Sequence, residues 1–136
     1  MSGVTNIRAA IETALAAISP TLTPAYENVA FTPTAGTPYQ RVEWMWARPG
    51  NNEISQNYTQ EGICQVTLCY PTNTGPAAAA ARAEVTKATF KRGSGPYTSS
   101  GVSVSIPYTP EVMPAYVDGD RYCVPVRIRV FAQLTA

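Results

Sequence analysis

The C-terminal stretch alternates almost without interruption, with Tyr122, Val124, Val126, Ile128 and Val130 on one parity and Arg127, Arg129 and Phe131 on the other. Successive side chains of a strand point to opposite faces, so this pattern predicts a long strand from Arg121 to Ala132 with one face on a core. Such a strand is stable only within a sheet, and the rest of the chain must supply its partners. Pro125 falls on the outward parity and lacks an amide donor, which predicts an edge position or a bulge near the strand's start. Just upstream, Asp118-Gly119 separates this strand from the segment Glu111 to Val117. Asp and Gly both tolerate positive φ, so the pair predicts a tight hairpin turn.

Three further segments alternate in the same way. Tyr39 to Ala47 places Val42, Trp44 and Trp46 on one face and Arg41, Glu43 and Met45 on the other. Ile63 to Tyr70 places Cys64, Val66, Leu68 and Tyr70 together, and Val102, Val104 and Ile106 alternate with Ser103 and Ser105. Between the first two of these lies a polar stretch from Arg48 to Gln60, which predicts a long antiparallel hairpin with a large loop at its tip. Folded back on itself, that loop could reach roughly 20 Å from the sheet, and loops of this length usually carry function or are disordered. Its apolar content beyond Ile54 and Tyr58 is almost nil. Tyr26 to Phe31 reads as a short strand inside the Pro- and Thr-rich stretch from Pro20 to Pro38. Because Pro24, Pro33 and Pro38 donate no hydrogen bond, any strand there is an edge or a bridge.

Two segments carry helical spacing instead. Ile7, Ile11, Leu15 and Ile18 recur with Ala10 and Ala14 beside them, Thr5 or Asn6 can cap the start, and Ser19-Pro20 ends the pattern. Gly75-Pro76 opens a second helix through the Ala77 to Ala81 run, with Val85, Ala88 and Phe90 as anchors, Lys91 and Arg92 in the last turn and Gly93 as the stop. Gly93 to Gly101 reads as a connector. The predicted fold class is α/β (α+β): a single mixed or antiparallel sheet with helices Thr5 to Ile18 and Pro76 to Arg92 on one face. At 136 residues the chain matches one domain over residues 1–136. Ile11, Leu15, Val66, Leu68, Val85, Val104, Val126 and Ile128 are the expected core.

Composition removes most catalytic chemistry. There is no histidine, so the commonest general base, the Ser-His and Cys-His pairs and imidazole zinc sites are absent. Cys64 and Cys69 have opposite parity on one strand and face apart, so they cannot share a metal or bond to each other. Cys123 could form a disulfide with either, but no targeting segment places the chain in an oxidising compartment. All three read as buried small hydrophobes. Asp118 and Asp120 lack a third carboxylate nearby for a metal, and no phosphate loop or nucleophile elbow occurs. The expectation is a protein that is no enzyme and holds no cofactor or metal. No apolar run approaches the ~20 residues that span a bilayer, and the start resembles no secretory signal, so a soluble intracellular product is expected. Ten basic residues against nine acidic ones are scattered along the chain, which argues against specific nucleic-acid binding. Charged residues are only 14%, and so charge-poor a surface resists self-association weakly.

Several segments resemble one family. They are Ile7-Arg8-Ala9-Ala10-Ile11-Glu12, then Tyr26-Glu27-Asn28-Val29-Ala30-Phe31-Thr32-Pro33, Tyr70-Pro71 with Thr74-Gly75-Pro76, Ala81 to Glu84, Phe90-Lys91-Arg92-Gly93, Gly119-Asp120-Arg121-Tyr122 and Val124-Pro125-Val126. In order and spacing they resemble the tail terminator-like proteins of long-tailed, siphovirus-type bacteriophages, including a phage family formerly known only as a domain of unknown function. The resemblance implies a small structural virion protein that forms a hexameric ring at the head-proximal end of the tail. That ring stops polymerisation of tail tube protein and offers a surface to the head completion (stopper) protein, while DNA passes through. It further implies the tail-neck region of the virion as location, with assembly in the host cytoplasm.

Two other readings fit the same sequence. One is a head-side connector or stopper, which shares size and ring symmetry. The other is a carbohydrate-binding or decoration module with Trp44, Trp46 and Tyr58 as an exposed platform. The residues expected to touch partners are Arg48, Asn51, Asn52, Glu53 and Tyr58 of the loop, and Arg127 and Arg129 of the outward strand face.

Overall fold

Two strands of 14 residues each, β3 (Tyr58–Pro71) and β8 (Arg121–Leu134), run antiparallel in unbroken register from Tyr58↔Leu134 to Pro71↔Arg121. The computed structural model describes residues 3–19, 21–51 and 54–134. β2 (Tyr39–Trp46) pairs antiparallel with β3, and β1 (Thr23–Ala25) adds a parallel neighbour to its first residues. On the far side of β8 lie β5 (Val102–Ser105), β6 (Glu111–Val112) and β7 (Tyr116–Asp118), while β4 (Tyr97–Ser99) pairs on β5. The sheet is mixed, in the order β1-β2-β3-β8-β5-β4. With α1 (Gly3–Ala16) and α2 (Ala77–Thr89) it forms the expected α+β arrangement.

One parity of the sheet makes the core. Val42 and Trp44, Cys64, Val66 and Leu68, and Val124, Val126, Ile128 and Val130 all point to the face that carries both helices. Ile7, Ile11 and Leu15 of α1 meet them, together with Ala79 and Ala83 of α2 and Phe90 just beyond it. Each fully buried Val, Ile, Leu or Phe side chain among these contributes about 1.5–3 kcal/mol. Gly3 lets α1 approach closely, since a Cβ there would lie 2.5 Å from Leu134 Cδ1.

The structure departs from the sequence reading at several places. Val85, expected in the core, is 42% exposed. The buried face of α2 runs instead through Ala79, Arg82, Ala83 and Thr86, at steps of three and four. Thr86 tolerates burial because its hydroxyl donates to the Arg82 carbonyl at 3.0 Å. The helix ends at Thr89 and α1 at Ala16, each short of the expected limit. α1 begins at Gly3, which puts Thr5 and Asn6 inside it rather than at its cap. Pro20 lies outside the described residues. The early strand is Thr23–Ala25 rather than 26–31, and residues 27–28 turn, with Asn28 at φ 56°. The connector 93–101 contains β4, held by Tyr97, whose hydroxyl donates to the Thr89 carbonyl at 2.9 Å and whose ring meets Phe90.

Pro125 is not at an edge but lies opposite a bulge: Val112 pairs with Val126 and Tyr116 with Cys123, so residues 113–115 face only Val124 and Pro125. β8 has neighbours on both sides, and the Pro125 carbonyl accepts from Met113 N–H at 2.8 Å. N and C=O of one strand residue point the same way, so the missing donor faces the break between β6 and β7. The turn before β8 centres on Gly119-Asp120 rather than Asp118-Gly119, because Asp118 pairs with Arg121. Gly119 has φ +60°, and glycine at the first central position is the type II′ arrangement.

Candidate functional site

The face of the sheet away from the helices is built by the opposite parity: Tyr39, Arg41, Glu43 and Met45 of β2, Ile63, Gln65 and Thr67 of β3, and Arg127, Arg129 and Phe131 of β8. One end of it is closed. Residues 26–38 cross over the end of β2, where Phe31 packs on Tyr39 at 5.0 Å. Arg121, only 4% exposed, donates from its guanidinium to the Thr37 carbonyl and, at 2.7 Å, to the Thr34 carbonyl, and it lies over the Tyr39 ring. Beneath this strap Ala25, Tyr39, Cys69 and Cys123 form a second small core. Burial pushes the Tyr39 hydroxyl above its ordinary range.

The other end is open. Arg127 Nε donates to Gln65 Oε1 at 3.1 Å, and Arg129 Nη2 donates to Glu111 Oε1 at 3.0 Å. Met45 and Tyr108 are exposed, and Ile63 and Phe131 half-buried. A cleft of about 210 Å³ lies between the hairpin and the chain leading out of β5, lined by Met45, Trp46, Glu61, Ile63, Tyr108 and Arg129. The structure thus brings Arg129 to the cleft beside the base of the β2–β3 hairpin.

The hairpin loop is shorter than expected, because β3 starts at Tyr58. Gly50 and Thr59 exchange two backbone hydrogen bonds of 2.9 Å, and Ala47 N–H donates to the Glu61 carbonyl at 3.0 Å. Gln60, buried, caps the base by donating to the Ala47 and Glu61 carbonyls, both at 2.9 Å. Arg48 and Asn51 are exposed beside this base. Asn52 and Glu53 lie outside the described residues. Ile54 anchors nothing and is fully exposed. Tyr58 is corrected from a loop residue to a strand residue, half-buried against the core.

The tryptophans are not a platform. Trp44 is 7% exposed, its indole N–H donates to Glu12 Oε2 at 2.9 Å, and Trp46 stacks on it at 4.9 Å with a 6° interplanar angle. Gly62 makes room for that stack, since a Cβ there would sit 2.7 Å from Trp46 Cε3. With Tyr58 packed as well, the carbohydrate reading loses the exposed aromatics it needs. Burial raises the Glu12 carboxyl above 4.5, with the Trp44 hydrogen bond and the Arg8 charge opposing. Arg8 in turn pairs with Glu27 at 3.1 Å.

One feature had no sequence signal. Ala47 donates to Glu61, so odd-numbered β2 residues face β3, and the backbone groups of Val42, Trp44 and Trp46 face outward. β1 covers β2 only as far as Arg41, and among the described residues no strand pairs with β2 beyond it on that side. An unpaired edge of this kind is a template for another chain. Among the described residues there is no group of three His, Cys, Asp or Glu placed to hold a metal, and no helix is long and apolar enough to cross a membrane.

The family described as phage tail terminator protein matches residues 6–130. No curated protein matches the chain. One solved chain, which carries no descriptive name, is 25% identical over 96% of this chain and 95% of its own, with a TM-score of 0.74. A chain of the virion of a native gene transfer agent particle is 17% identical over 98% of both chains, with a TM-score of 0.68, a likeness of fold.

Proposed function

The chain belongs to the phage tail terminator family, and from that premise we propose that its copies close into a ring, hexameric as the family resemblance implies, at the head-proximal end of the tail tube. It is a structural protein of the phage virion. In this reading it is a single domain that works by occupying a growing surface. A tube lengthens by repeating one interface, so a subunit that fits the last layer and turns a different surface outward ends the addition. The new surface then receives the head completion protein, and DNA passes through the ring without sequence-specific contact. Assembly takes place in the host cytoplasm, and no membrane takes part.

The observation that carries this reading is the separation of two unlike surfaces on one sheet. The free edge of β2 from Val42 to Trp46 looks sideways. The open face with Arg127 and Arg129 looks away from the helices, with Arg48, Asn51 and the hairpin loop at its border. A head-to-tail ring needs two different, mutually complementary patches on each subunit, and it closes when the rotation between copies allows. We assign the β2 edge to the neighbouring copy. The open face and the loop, with Asn52 and Glu53 in it, are assigned to tube or head partners.

The test is removal of this gene product from an infection. Tails of irregular, excessive length together with unattached heads are expected. Tails of normal length that lack only heads would overturn the terminator role in favour of a connector or stopper.

A further inference from the structure

We propose that Cys69 and Cys123 are a thiol oxidation site, joined into an intrachain disulfide when the folded protein meets a small-molecule disulfide. The two residues are direct partners across β3 and β8, and the Cys123 thiol donates to the Cys69 sulfur at 3.2 Å. Their register class favours the bond. Tyr39 and Cys69 belong to the same alternating set as Ala47 and Glu61, so the backbone groups of Cys69 turn toward β2 and away from β8. Cys69 and Cys123 are therefore a non-hydrogen-bonded pair. Such pairs hold their Cα atoms ≈ 4.5 Å apart, inside the 4.4–6.8 Å range of disulfides. Cys64 is excluded, since it points to the opposite face among the core residues under the helices.

The site is enclosed rather than open. Both thiols are buried, under the strap that Arg121 pins and beside Tyr39. Burial pushes the Cys123 thiol up to about 12, with the neighbouring Cys69 adding to the rise. Attack therefore starts from a small thiolate fraction and waits on opening of the strap. With oxidised glutathione as oxidant, the first thiolate attacks the disulfide, forms a mixed disulfide and releases one glutathione thiolate. The second thiolate then attacks the protein sulfur of that mixed disulfide and releases the other. The cysteines lose two electrons to the oxidant, and their two protons end on the released glutathiones. The product ties the two longest strands together across a separation of 54 residues that includes α2 and β4 to β7. A bacterial cytosol keeps such thiols reduced and the medium outside does not, so the bond forms after release. This chemistry stands or fails independently of the ring.

The experiment treats folded, reduced protein with excess oxidised glutathione, quenches it, denatures it and alkylates the remaining thiols with a maleimide. Alkylatable thiols should fall from three to one, with the mass of the unalkylated protein lower by two hydrogens. A non-reducing peptide map should join the Cys69 and Cys123 peptides. Cys64→Ala should leave the bond intact and Cys69→Ala should abolish it, and the wild-type map decides alone where a variant does not fold. The same protein unfolded in guanidinium and given the same oxidant is the control: three alkylatable thiols remaining in the folded sample once that control has oxidised, a bond to Cys64, or a lasting glutathione adduct on either cysteine would overturn the proposal.

Discussion

Arg129→Glu separates a role inside the subunit from a role between subunits. Arg129 and Glu111 form an ion pair at 3.0 Å whose side chains are 45% and 49% exposed. Exposed pairs of this kind contribute about 0–1 kcal/mol. Losing the pair and facing two carboxylates across the strands therefore costs the free subunit about 1 kcal/mol, a melting shift of a few degrees. A ring multiplies a small penalty. If each of six subunits loses about 1 kcal/mol of its contact with the tube or head partner, the ring as a whole loses about 6, or roughly four powers of ten in the joining constant at 1.4 kcal/mol per decade. The assay is complementation of an infection lacking the wild-type product, scored by tail length and joined heads in electron micrographs, beside thermal melting of the purified variant. The expected result is near-normal melting with long, headless tails. The double exchange Arg129→Glu with Glu111→Arg restores the internal pair and should not restore assembly. Normal tails from the single variant, or full rescue by the exchange, would refute the assignment of Arg129 to a partner surface.

Three further outcomes test other parts of the structure. Phe90→Ala should cost about 3–5 kcal/mol in urea denaturation, whereas Val85→Ala should stay within about 0.5; the reverse order would contradict the observed face of α2. Glu12→Gln should stabilise the protein at neutral pH, because burial raises the folded carboxyl above 4.5 and disfavours its charge. By linkage the wild type binds more protons folded than unfolded, so the stabilising effect of protonation is full below the unfolded value and lost as pH rises through the folded one. The gap between the two proteins should therefore close on acidification, and a gap that widens below pH 4.5 would contradict the burial argument. Shortening the hairpin loop by removing residues 52–56 should leave melting nearly unchanged, since loop length enters closure entropy only logarithmically, while joining to the tail fails. Normal virion yield would count against a role for the loop.

The fold was legible where one physical signal dominated. In β8, and in β3 from Cys64 to Leu68, the period-two pattern picks out the core face, and in α1 Ile7, Ile11 and Leu15 mark the buried stripe without ambiguity. α2 misled because its contact face is made of alanine and threonine, so its larger apolar residue, Val85, drew the assignment to the wrong side. The start of β3 was hidden because Thr59, Gln60 and Glu61 look like loop. Gln60 is nevertheless buried, as its amide satisfies two backbone carbonyls at the hairpin base. Pro125 pointed to an edge or a bulge by a sound rule. The fold meets the rule by the bulge, since the neighbouring chain carries one extra residue between β6 and β7 where the donor is missing.

The candidate site was half legible for a related reason. Outward parity identified Arg127 and Arg129, because alternation fixes where a side chain points. It cannot say what a side chain meets, and Glu111, 18 residues from Arg129, carries no local mark as its partner. The free edge of β2 is harder still, since an edge is a missing neighbour and belongs to topology rather than to any residue. Val42, Trp44 and Trp46 read as core, and their side chains are core or pack on it. Their backbones turn the other way, with amide and carbonyl groups that no strand of the described chain takes up. Each backbone bond formed there by another copy would contribute about 0.5–1.5 kcal/mol. The same residues would then hold the subunit together through their side chains and the ring through their main chain. A side-chain substitution at Trp44 therefore disturbs the core before it tests the ring contact, whereas reversing the exposed Arg129 tests the other, partner-facing surface without touching the core.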